Sequence, residues 1–161
     1  MDFLIWLENT SIATFVRESP SMLGFPTFLF VHSLGLSLAV GPCAIVAVRL
    51  LGVAPTLPLK PLERLFPYMW IGFWLTVVSG LGLAFADATN KLTNPILLVK
   101  LVLVVIAAAN MWLLDKKVFR APEGSAAGNG KVLAGTLLVL WLAVTIAGRL
   151  IAYSRTIFEV V

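Results

Sequence analysis

The sequence predicts an all-α protein: a polytopic membrane four-helix bundle with an amphipathic interfacial helix at its N-terminus. Three observations lead there. Hydrophobic residues make up 60% of the 161-residue chain and charged residues only 12%, against roughly 25% charged in an average soluble domain. The mean hydropathy is +0.98, so the composition cannot supply a water-facing surface. Finally, uncharged runs long enough to cross a bilayer extend from Ser19 to Val48 and from Leu65 to Ala86.

Residues 1–19 carry Asp2 and Glu8 where a secretory leader would carry basic residues. Leu4, Leu7, Ile12, Phe15 and Val16 share one helical face, with Glu8, Asn9, Ser11 and Glu18 elsewhere. With Trp6 added, this is the pattern of a helix lying flat in the interface. Ser19-Pro20-Ser21 ends it and turns the chain inward.

The first span covers about 25–51, with Pro26 suited to a first turn and Pro42 expected to kink the helix. Pro55, Pro58, Pro61 and Pro67 make the following stretch a loop, and Lys60, Glu63 and Arg64 keep it wet. The second span covers about 68–85. The third (95–114) and fourth (132–153) are tighter. Only 14 uncharged residues separate Lys100 from Asp115, and 17 separate Lys131 from Arg149. A perpendicular crossing needs roughly 20 residues, so each helix reaches full length only by taking in a cation, Lys100 in one and Arg149 in the other. The stretch from Asp115 to Lys131, rich in glycine and alanine, is expected to be a surface loop. The whole is one membrane domain with no internal repeat.

Basic residues orient the bundle. Arg49, Lys60, Arg64, Lys116, Lys117, Arg120 and Lys131 lie on one side; Arg17, Lys91 and Arg155 lie on the other. The excess of seven over three faces the cytoplasm, which puts both termini on the periplasmic side of a bacterial inner membrane. The outer side also holds five of the eight acids: Asp2, Glu8, Glu18, Asp87 and Glu159. The net charge of +4 is topological in origin and gives no reason to expect nucleic acid. The single cysteine, Cys43, excludes an internal disulfide and suits apolar packing.

This topology brings three unusual residues to one depth. The only histidine, His32, lies roughly 9 Å inside the outer end of the first span. Lys100 lies at a similar depth on the third span, and Arg149 one turn inside the end of the fourth. Asp87 caps the same leaflet, and Ser79, Thr145 and Tyr153 are further polar candidates. Imidazole serves as a metal or haem ligand or as a proton carrier. Gly35, Ala39 and Cys43 continue its face at helical spacing, leaving either space for a flat ligand or a surface for close helix packing with His32 bonded across the contact. Lys100 and Arg149 either snorkel to the headgroups or hold an anion: haem propionates, a quinone head or a lipid phosphate. Trp70, Trp74, Trp112 and Trp141 are expected to be lipid-facing or interfacial. One histidine excludes a bis-histidine haem within one chain. Met69 and Met111 fall toward the inner half, and Met22 lies too far along the helix to supply a second ligand. Structural zinc is excluded on ligand count.

His32, Gly35, Arg49 and the run Lys100-Leu101-Val102-Leu103-Val104 resemble the His/Lys-type membrane protoporphyrinogen oxidases and the CopD-type membrane proteins. The pattern of Glu18 to Pro20, Phe25-Pro26 and His32 to Leu36 is similar to that of an uncharacterised bacterial family of four-helix integral membrane proteins. The oxidase resemblance implies His32 and Lys100 as a functional pair and haem b as cofactor. The expected function is a b-type haem-binding electron-transfer subunit that exchanges electrons with the quinone pool. Its cofactor site would comprise His32 as iron ligand with Lys100, Arg149 and Gly35, and it would have a periplasmic or membrane redox partner, or a second copy of itself. The alternatives are a non-catalytic membrane anchor or assembly subunit for a periplasmic partner, and a porphyrinogen-oxidising enzyme.

Overall fold

The computed structural model describes residues 2–19, 22–120 and 127–158. Seven α-helices follow one another: α1 (Asp2–Glu8), α2 (Ser11–Glu18), α3 (Phe25–Leu51), α4 (Phe66–Phe85), α5 (Ala88–Lys91), α6 (Pro95–Leu114) and α7 (Ala127–Phe158). No strand occurs among the described residues. The segments built on α3, α4, α6 and α7 are each long and apolar enough to cross a membrane. The protein is therefore an all-helical, multi-pass membrane protein.

Helix ends follow local chemistry. Pro26 opens α3, and Gly52 closes it at φ +93°, the left-handed cap that a side chain would strain. Between them the helix continues through Pro42, whose ring nitrogen cannot donate to the Leu38 carbonyl. A 3-10 turn, Lys60–Leu65, forms within the expected proline loop and leads into α4, with Pro67 in its first turn. The second span thus starts two residues earlier than its composition suggests. Asn94 caps α6 by accepting a hydrogen bond from the Ile96 amide at 2.9 Å, and Pro95 follows in the first turn.

Three expectations need correction. The N-terminal segment is two helices, broken at Asn9-Thr10, where the Thr10 hydroxyl donates to the Leu7 carbonyl at 2.7 Å. It is also more than a lipid-facing helix: α1 packs on α5 and α2 on α4, so Ala13 and Val16 are buried while Ile12 and Phe15 face outward. Second, the stretch after Leu114 begins with a π-helical turn, Asp115–Phe119, and α7 already begins at Ala127; residues 121–126 lie outside the described residues. Lys131 therefore sits inside a helix, since charge sets where a helix leaves lipid and does not end the helix. Third, Trp141 is 3% exposed and belongs to the core, whereas Trp74 and Trp112 face outward as expected. Pro20, Ser21 and the side chains of Arg155 and Glu159 lie outside the described residues.

Packing runs in the order α4–α3–α7–α6, and α4 and α6, the two outer members, barely touch. The core gathers where all four helices meet: Cys43, Val46 and Ala47 from α3, Phe66 and Met69 from α4, Ala107, Met111 and Leu114 from α6, and Leu137 and Trp141 from α7. The Cys43 thiol donates to Met111 Sδ at 3.9 Å. All buried residues of α6 lie in its second half, from Ala107 onward. The first three turns, including Lys100, bury none. At the end that carries His32 and Lys100, α6 therefore contributes no buried residue, while α3, α4 and α7 still do.

Candidate functional site

The site depends on how closely α3 and α4 approach. Gly72, Thr76 and Ser79 occupy one face of α4 at spacings of four and three, and this face meets Gly35 and Ala39 of α3. A Cβ added at Gly72 would lie 2.5 Å from Ala39 N and 2.6 Å from Gly35 O. One added at Gly35 would lie 2.7 Å from Thr76 Oγ1. Backbone therefore meets backbone at a glycine–glycine crossing, the small-residue contact that lets membrane helices associate. Further toward the helix ends, Phe28 occupies the space over Gly82 and the His32 ring occupies the space over Gly80.

His32 Nδ1 lies 3.2 Å from Ser79 Oγ. That hydroxyl has one proton, donated to the Leu75 carbonyl at 2.5 Å in the usual back-bond of a helical serine. Ser79 Oγ is then the acceptor and His32 Nδ1–H the donor. The Thr76 carbonyl also lies within reach of the ring. In that arrangement Nε2 keeps its lone pair. Ser79 is 3% exposed and His32 half-buried, so the imidazole is held against α4 through Nδ1.

Lys100 comes to the same place from α6. Its ammonium lies 3.4 Å from where a Gly148 Cβ would be, so glycine at that point of α7 makes room for the lysine stem. Lys100 lies in the same half of the bundle as His32 and exerts an electrostatic influence on it. It is half-buried, and it has no ion pair and no side-chain hydrogen bond among the described residues. A cation in such a segment is costly without a partner.

The structure thus brings together two of the predicted residues, His32 and Lys100, with Ser79 as the histidine's anchor. It separates the other two. Arg149 follows Gly148 by one position, about 100° around the helix; it is exposed and stacks over the Tyr153 ring at 5.7 Å. Thr145 donates to the Trp141 carbonyl. Gly35 is filled by α4 and presents no surface to a ligand. Asp87 accepts from Asn90 at the start of α5. Gly72, Thr76, Gly80 and Gly148 were not singled out from the sequence. The spacing of Gly72, Thr76 and Ser79, matched to the Gly35–Ala39 strip, is the signal that marks the α4 face.

The second polar feature of this end is Glu8. Its Oε1 accepts from the Thr89 hydroxyl at 2.6 Å and the Thr89 amide at 3.1 Å. These hydrogen bonds, led by the hydroxyl, hold the Glu8 carboxyl below its ordinary value. The bond ties α1 to the α4–α6 connection. Lys91 braces the same connection by donating to the Leu83 carbonyl at 2.7 Å and approaching the Phe25 ring.

No group of three or more histidine, cysteine or acidic side chains able to hold a metal ion occurs among the described residues. One imidazole nitrogen supplies a single donor, too few for a closed metal site. No family model matches the chain, and no curated protein or solved structure matches it.

Proposed function

We propose that this membrane protein is a redox subunit that binds one b-type haem through His32, in the half of the bundle that faces the periplasm of a bacterial inner membrane. The observation that carries the reading is the His32–Ser79 contact: with the Ser79 proton given to the Leu75 carbonyl, Nδ1 is the donor and Nε2 keeps its lone pair, in the half of the bundle that also holds Lys100, which has no ion pair among the described residues. His32 would hold the iron and Lys100 a propionate. Bound there, the haem would supply one-electron exchange with a quinone or a partner protein. The small-residue strip of α3 is not the haem surface in this reading, because α4 covers it. The basic-residue count supports the orientation. The family resemblance carried by His32 and by Lys100 to Val104 supports the pairing.

The test is the absorption spectrum of protein purified from haem-replete cells. The wild type shows a Soret band, and His32→Ala lacks it at unchanged abundance. A colourless wild-type preparation overturns the reading.

A specific observation favours a second one. Glu8 bonded to Thr89, together with α1 packed on α5, fixes the N-terminal helices as a platform at one end of the bundle, with Phe3, Trp6 and Phe15 exposed on it. Such a platform suits an anchor subunit that docks a periplasmic partner. Affinity purification in mild detergent separates the readings: a stoichiometric partner lost on deletion of residues 2–18, with no bound chromophore, supports the anchor.

A further inference from the structure

A groove of about 460 Å³ runs along the outside of the α6–α7 pair, lined by Pro95, Ile96 and Val99 on one wall and Ala143, Ile146 and Leu150 on the other. It is open along one side, and it lies on the opposite side of α7 from Gly148 and Lys100 to the extent that the 3.6-residue repeat dictates. Its lining is apolar throughout, so within a bilayer its natural occupant is a hydrocarbon chain.

A cation on α7 flanks the end of the groove formed by Leu150. Ile146, Leu150 and Tyr153 follow one another at spacings of four and three along one side of α7. The Arg149 guanidinium stands 5.7 Å from the Tyr153 ring, one turn beyond the groove's last residue, and no ion pair satisfies it among the described residues. On the other wall the groove ends at Pro95 and Ile96, the first turn of α6, where the helix dipole places partial positive charge. The α7 guanidinium therefore stands beside one end of a hydrocarbon-lined trough without lining it.

We propose that this groove is a binding site for an anionic phospholipid, with one acyl chain along Val99, Ala143 and Ile146 and the phosphate paired with Arg149. Arg149 thereby has a role separate from that of the His32–Lys100 pair, consistent with its position around the helix from Gly148. A fork of guanidinium donors suits a phosphate oxygen pair better than an ammonium does.

The experiment uses the full-length protein in mild detergent, with native mass spectrometry and added phosphatidylglycerol or phosphatidylcholine of matched chains. The wild type retains phosphatidylglycerol in preference to phosphatidylcholine. Arg149→Gln lowers phosphatidylglycerol affinity about fivefold, the effect of one basic residue near an anionic lipid, and lowers that of phosphatidylcholine by less, because the choline cation offsets its phosphate. Arg149→Lys retains part of the preference. Ala143→Phe, which fills the trough, lowers retention of both lipids. Circular dichroism and a monodisperse elution profile show that each variant is folded. Equal retention of the two lipids by the wild type, or an unchanged preference in folded Arg149→Gln, overturns the proposal.

Discussion

The glycine crossing between α3 and α4 makes a sharp demand on stability. In Gly72→Ala the new methyl carbon would stand 2.5 Å from Ala39 N, 2.6 Å from Gly35 O and 2.7 Å from Leu38 C. Comfortable contacts of this kind begin near 3.5 Å, so the helices must separate by roughly 0.8 to 1 Å. All three atoms are backbone, and no side chain can rotate away. Overpacking of this sort costs about 1–3 kcal/mol, partly offset by the ~0.8–1 kcal/mol that alanine gains over glycine within a helix. The opposite case is Gly135→Ala in α7, where nothing lies within 4 Å of the added carbon; only the gain remains there. Titration with a denaturing detergent, followed by circular dichroism, should show Gly72→Ala destabilised by up to about 2 kcal/mol and Gly135→Ala stabilised by up to about 1 kcal/mol. Two variants that shift in the same direction by the same amount would refute the backbone contact. Because Ser79 is carried on the same helix two turns on, Gly72→Ala should also loosen the hold on His32.

Further outcomes follow from the other contacts. Lys100→Leu removes an unpaired cation from the span and should stabilise the protein by up to about 3 kcal/mol, while abolishing or weakening haem retention; stability and binding measured on one preparation would move in opposite directions. Ser79→Ala frees the imidazole and should shift or broaden the Soret band without removing it, because the iron ligand is still present. Glu8 titrates below its ordinary value of 4.5 because Thr89 bonds its charged form, so its contribution is complete above pH 4.5 and is lost as pH falls through the lowered value. A spin label at exposed position 3 should be restrained at neutral pH, gain mobility in acid, and be mobile at neutral pH in Thr89→Ala. Cys43 is 1% exposed and should resist maleimide labelling in native micelles while reacting fully after unfolding.

The bundle was legible where local chemistry and membrane physics agree. Phe25–Leu51 and Pro95–Leu114 coincide with the expected spans because Pro26, Gly52, Asn94 and Pro95 are strong local stop and start signals. Boundaries that rested on charge alone slipped. Lys131 continues a helix that begins at Ala127, and Asp115 opens a π-helical turn stabilised by its ion pair with Arg120 at 2.9 Å. The site was half legible. Depth counting set His32 and Lys100 at one level, but lateral proximity depends on which helices pack, and depth carries no information about that. Arg149 shows the limit: a single position separates it from Gly148, yet that step turns it from the Lys100 side of α7 to an exposed one. Gly35 shows another, since a strip of small residues looks the same whether it faces a ligand or a helix, and only the complementary Gly72 decides between them.

Haem content per chain, measured on purified wild type and on His32→Ala after reduction in alkaline pyridine, tests the central claim most directly. The expected result is a near-stoichiometric b-type haem in the wild type and essentially none in the variant, with both proteins folded. Wild-type protein without haem, or a His32→Ala variant that keeps it, would contradict the assignment of His32 Nε2 as the ligand.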